Sequence, residues 1–218
     1  MRLTLRATDP LDKFDRLLKD EAFWKRYRAD LEKTLTPKFS AILLAGIESG
    51  MKVGASKGYV QVGSYREKPD SLTFPKLKLP KVLSVDALHK VGDAAIKKYI
   101  PQFLDAITQT TYDGIKAAVV RAREDGSGVF GVLDSARTYF SPERAQRIAV
   151  TETTRLYGVG AQEAYRAQGV TTWTWQTVED GFVDEDCDDL SGTEFDIAEE
   201  FEPAHPNCRC FPVPGEVG

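Results

Sequence analysis

Cysteine, histidine and methionine are scarce in this 218-residue chain, at three, two and two residues. So few cysteines exclude a small secreted module built on disulfides. Long apolar runs are missing as well. The longest, FSAILLAGI at residues 39–47, is far too short to span a bilayer. The N-terminal stretch MRLTLRATDPLDKFDRLLKD is charged throughout and has no apolar core, so it does not read as a secretory signal. The expectation is a protein kept in a reducing cytoplasm, where its cysteines stay thiols or bind metal. Metalloprotease and P-loop signatures are absent too: there is no H-E-x-x-H and no G-x-x-x-x-G-K-[ST]. His89 stands alone in a helical pattern and reads as an ordinary surface or core histidine.

Basic residues run out along the chain. Residues 1–123 hold 23 Lys and Arg against 14 Asp and Glu, whereas residues 124–218 hold 6 against 19. The last lysine is Lys116, and no lysine or arginine lies between Arg166 and Arg209. The plain explanation is two solvated surfaces of different sign. The sharper one is a basic half that faces an anionic partner. An acidic half repels phosphate, so any nucleic-acid contact belongs to the first half.

What is present is mostly helical periodicity. Asp9-Pro10 opens a pattern through Phe14, Leu17 and Leu18, and EAFWKRYRADLEKTL continues it. Thr36-Pro37 reads as a restart, with Gly50 and Gly54 weakening the end of that helix. Residues 58–83 lose the period, carry three prolines and read as an extended arm or linker. Ser84 is the expected cap of a helix that runs to Pro101, followed by a second from 101 to about Arg123. Beyond a turn at 124–128 come a short helix and then a long one, opened by Ser141-Pro142 and closed by Gly169 at C′. VTTWTWQTV at 170–178 alternates as a strand, and CRCFPV at 208–213 reads as another. The expected fold is α+β and mainly α. A helical region at 1–57 and the arm at 58–83 precede a domain at 84–218, whose loop-rich β module packs on the helix at 142–168.

One of the two histidines and two of the three cysteines fall in EFEPAHPNCRCFPVP, residues 200–214. Cys187, His205, Cys208 and Cys210 are therefore a candidate ligand set for structural zinc, with Asp184 as an additional candidate ligand. On a strand, Cys208 and Cys210 would share one face. No C-x-x-C pair is present, so a cluster of free thiols and a disulfide stay open as alternatives, as does a Cys208–His205 dyad. DEDCDDLSGTEF at 184–195 is not an EF-hand, because Asp189 and Phe195 stand where glycine and glutamate are required. On the helix from 142, Ala145, Ile148, Ala149, Leu156 and Val159 form an apolar stripe, and Glu152 falls in its middle. A carboxylate there needs a partner. Arg209, or backbone N–H groups of the terminal loop, are the expected ones.

RAQRIAVTET at 144–153, then Trp175, CDDLSG at 187–192 with Phe195, and HPNCRC at 205–210 resemble the phage Mu F-like head morphogenesis family. The resemblance covers roughly residues 84–213 and is sharpest over 142–213. It implies a minor capsid protein of a phage or prophage, found in few copies in the virion and associated with the portal. The implied role is head assembly or genome packaging or ejection, without catalysis. Implied partners are the portal protein, the major capsid or scaffold protein, and packaged DNA through the basic half, with no membrane. By the same resemblance Cys187, His205, Cys208 and Cys210 occupy the family's cysteine and histidine positions. Arg144, Glu152, Trp175 and Arg209 are expected to be structural. Many members carry C-x-x-C where this chain has Asp184 and Cys187. Two other readings stand beside this one: a zinc-knuckle nucleic-acid-binding protein, and a zinc- or thiol-dependent hydrolase.

Overall fold

The computed structural model describes residues 11–53, 85–178 and 182–216. The expected arm at 58–83, the Ser84 cap and the Asp9-Pro10 helix start lie outside them. The described chain is α+β and mainly α. Its order is α1 (Asp12–Lys19), α2 (Glu21–Val53), α3 (Val85–Glu124), α4 (Gly128–Arg137), a 3-10 turn (Thr138–Phe140), α5 (Pro142–Ala167), β1 (Thr172–Gln176), α6 (Glu185–Leu190), β2 (Glu194–Asp196) and β3 (Phe211–Pro214). None of its helices is long and apolar enough to cross a membrane.

Two expected helix breaks are absent. α2 runs through Pro37 and α3 runs through Pro101. Proline removes one intrahelical hydrogen bond. Apolar side chains after Pro37, including Phe39 and Leu43, and on both sides of Pro101, including Ile100 and Leu104, are buried, and their packing offsets that loss. The break that does occur is at Asp20, between α1 and α2. There the Asp20 carboxylate accepts the Phe23 N–H at 2.9 Å and caps the new helix.

The chain divides into two compact units, Met1–Lys33 with Pro101–Ala145, and Thr34–Ile100 with Gln146–Gly218. In the first, Leu11, Ala118, Val119, Ala122 and Val132 form a small apolar core, with Phe14, Leu18 and Val129 against it. Arg144 holds the 3-10 turn in place. Its guanidinium donates to Tyr139 O at 2.8 Å and to Thr111 Oγ1 at 3.2 Å, and it lies over the Tyr139 ring.

In the second unit α2 and α5 meet backbone to backbone. A Cβ at Gly50 would stand 2.6 Å from Ala161 O, and one at Gly160 would press on Leu43 O and stand 2.9 Å from Ile47 N. Gly50, read from the sequence as weakening α2, is thus a means of its close approach, and Gly54 lies outside the described residues. The expected stripe on α5 is buried over only part of its length. Ala145 and Ala149 are exposed, and full burial begins at Glu152 and continues through Leu156 and Val159.

The sheet is three-stranded and antiparallel, in the order β2-β1-β3. Trp173 on the central strand pairs with Phe195 on one side and Pro214 on the other. The Trp173 and Phe195 rings stack at 4.4 Å, and Phe201 closes the cluster edge-on, 5.8 Å from Trp173. Trp175 and the three cysteines belong to the same buried cluster. The last strand starts later than expected, at Phe211. Cys208 and Cys210 precede it, yet both are buried with Arg209 exposed between them, so the predicted alternation survives without the ladder.

Candidate metal centre

The site is assembled from one short helix, α6, and one tight loop that α5 holds. Asp184 caps α6: its side chain accepts the Asp186 N–H at 3.2 Å. That fixes the turn on which Cys187 sits, with Cys187 N–H donating to Asp184 O at 3.0 Å. The loop at 205–208 folds back through Asn207, whose φ of 67° lies in the left-handed region that asparagine tolerates better than most residues. Cys208 N–H closes the turn on His205 O at 3.1 Å.

Two threonines of α5 fasten that loop. Thr154 Oγ1 donates to Cys208 O at 2.7 Å, and Thr151 Oγ1 accepts Asn207 N–H at 2.9 Å while donating to Arg147 O at 2.8 Å. Thr151 and Thr154 are i, i+3 neighbours on one helix face. The TETT stretch is thus a docking platform for HPNC. Sequence reasoning singled out Glu152 of this stretch and did not name the two threonines. The i, i+3 spacing of two hydroxyls was the available signal.

The donors converge as a result. Cys187 Sγ lies 3.0 Å from His205 Nε2 and 3.6 Å from Cys208 Sγ. These three atoms all fall within 4.8 Å of one another. His205 Nδ1 lies 2.9 Å from Pro206 O. A carbonyl can only accept, so Nδ1 carries the proton and a neutral His205 presents the Nε2 lone pair to the sulfurs. Cys210 shares the buried cluster but stands outside the mutual 4.8 Å set. Asp184 and Arg209 line the same shallow cavity as Cys187, His205 and Cys210.

The three thiols titrate as a group. Cys208 is held low, because the Cys187 and Cys210 thiols both donate to its thiolate and outweigh burial. Cys187 is pushed up, chiefly by the same hydrogen bonding from the other side, by Cys210 and then by burial. The three buried thiols thus oppose losing their protons together. A divalent cation at the centre would remove that constraint, since thiolate ligands are stabilised outright by the ion.

Glu152 is buried as expected, but its partners are Tyr99 and Arg155 in place of Arg209 or the terminal loop's N–H groups. Tyr99 Oη donates to Glu152 Oε2 at 2.6 Å, and Arg155 Nε lies 3.5 Å from Oε1. Arg155 also pairs with Glu202, which joins the network to the loop ahead of His205. Burial raises the Glu152 carboxyl above its ordinary range, against the lowering effects of Arg155 and Tyr99. Arg209 is exposed between the buried Cys208 and Cys210 and is not among the partners of Glu152.

A family model described as Phage Mu protein F like protein matches residues 105–213. The chain belongs to that family. The matched segment contains α5 with its threonine platform, the sheet, and all three cysteines with His205. Family membership points to phage head morphogenesis. No curated protein and no solved structure matches the chain.

Proposed function

We propose that this chain is a minor head protein associated with the portal, acting in head assembly or in genome packaging or ejection. In this reading the Cys/His cluster is a structural zinc clasp and takes no part in bond-making. The observation that carries it is the convergence of Cys187, His205 and Cys208 where α6 and the 205–208 loop are both fixed. The donor set suits zinc. Two thiolates on a tetrahedral zinc stand about 3.8 Å apart, close to the 3.6 Å between Cys187 Sγ and Cys208 Sγ. His205 offers the nitrogen that such a site requires. The ion would fasten α6 to a loop with little regular backbone pairing of its own, which is the work of a structural site.

The basic half of the chain, residues 1–123, is the part suited to an acidic portal surface or to packaged DNA. The acidic C-terminal half is suited to neither phosphate nor another acidic surface. The test is to assemble heads with the native chain and with Cys208→Ser, then locate and count the chain by cryo-electron microscopy and quantitative mass spectrometry. The expected result is a few copies at the portal vertex for the native chain and loss of incorporation for the variant. Incorporation independent of the portal would contradict the portal assignment. A peptidase activity that disappears on replacing Cys208 in a folded variant would contradict the structural one.

A further inference from the structure

The cluster contains a polar group with no partner. Trp175 is 3% exposed, and its indole Nε1–H makes no hydrogen bond. Trp173, two residues before it on the same strand, is satisfied: its Nε1–H donates to Glu199 O at 2.9 Å. A buried N–H left without an acceptor is uncommon and unfavourable. Trp175 packs in the same buried cluster as Cys187, Cys208 and Cys210. Its backbone position opposite Pro212 is pinned by the β1–β3 register, and Cys210 lies two residues before that proline.

We infer that Trp175 is the positioning residue for Cys210, its indole N–H donating to the Cys210 sulfur when that sulfur is the fourth, thiolate ligand of the metal. This rests on the metal reading given above and assigns the fourth ligand within it. A thiol is a poor acceptor and a thiolate a good one, so the orphaned N–H is matched to the ligated form of Cys210. Outer hydrogen bonds of this kind orient ligands and contribute to metal affinity. Here the bond would tie the metal to β1, the central strand of the sheet.

The test uses the full chain loaded with Co(II), whose thiolate charge-transfer absorbance counts sulfur ligands, together with Zn(II) affinity by chelator competition. Cys210→Ser should lower the charge-transfer intensity by about a third, from three sulfurs to two. Trp175→Phe should keep the full intensity while weakening Zn(II) binding by roughly 10- to 100-fold. Adding Trp175→Phe to Cys210→Ser should cost little more. Because Trp175→Phe disturbs a packed cluster, a second readout uses the unaltered chain. Its Trp175 indole N–H proton resonance should move downfield on Zn(II) addition. Full intensity in Cys210→Ser, additive losses in the double variant, or an unmoved indole resonance in a chain that binds Zn(II) would overturn this inference alone. A native chain that binds no metal would remove the metal reading along with it.

Discussion

Residues 101–145 and residues 170–216 are built in opposite ways. The first segment is nearly all helix, so its backbone satisfies itself, and side chains add an apolar core and exposed ion pairs such as Arg123–Asp15. The second has short strands, one six-residue helix and long irregular connections. Its backbone groups are met by side chains instead. Gln162, fully buried on α5, donates to Ile197 O and Glu199 O and accepts the Phe201 N–H. Arg166 Nε reaches Ile197 O at 2.8 Å, and Trp173 Nε1 reaches Glu199 O. Gly158 on the same helix is flat enough to seat the Phe201 ring. The difference teaches that irregular backbone is placed by a template. α5 is that template, and the cysteine cluster closes the far end of what it holds.

The comparison breaks most sharply at the template itself. Gly160→Val puts atoms into the α2 backbone and should destabilise the chain by roughly 4 kcal/mol, read as a fall in urea midpoint. Gln162→Ala leaves the Phe201 N–H without its acceptor and Glu199 O with Trp173 as its remaining donor, and should cost roughly 3 kcal/mol. Its effect on hydrogen exchange should concentrate at 197–210 and spare 101–145.

Smaller effects separate the two regions by sign. Glu152→Gln keeps an acceptor for Tyr99 and should change stability at neutral pH by no more than about 1 kcal/mol. Burial raises the Glu152 carboxyl, so its favourable contribution is complete below the ordinary glutamate range and is lost as pH rises through the raised value. The native chain should therefore gain on Glu152→Gln as pH falls from neutral. Asp15 behaves oppositely. Its hydrogen bond to Arg123 lowers it, so its contribution is present above the ordinary aspartate value and lost as pH falls. Arg123→Ala should remove that dependence, cost under about 1 kcal/mol and lose its effect in high salt. Denaturation midpoints across pH and salt check both.

Sequence carried the helices well and the joints poorly. Periodicity located α2, α3, α4 and α5, and alternation located β1, because these patterns follow from burial on one face. Pro37 and Pro101 misled because local preference gave way to packing after Pro37 and around Pro101. The gathering of Cys187, His205 and Cys208 was legible from residue chemistry alone. The partners of Glu152 were not, since Tyr99 is 53 positions away and only the packing of α3 on α5 brings it there. Thr151 lies in the motif that was read and Thr154 just beyond it; their i, i+3 spacing was a signal, but it names no partner until a loop is folded against it.

The central claim is that a metal held by Cys187, His205 and Cys208 clasps the C-terminal module onto a preceding helix. Amide hydrogen exchange of the full chain, zinc-loaded and then chelator-treated, tests it most directly. Chelation should accelerate exchange at residues 185–210 and leave 101–145 unchanged. Identical exchange in both samples, in a chain shown to have lost zinc, would contradict it.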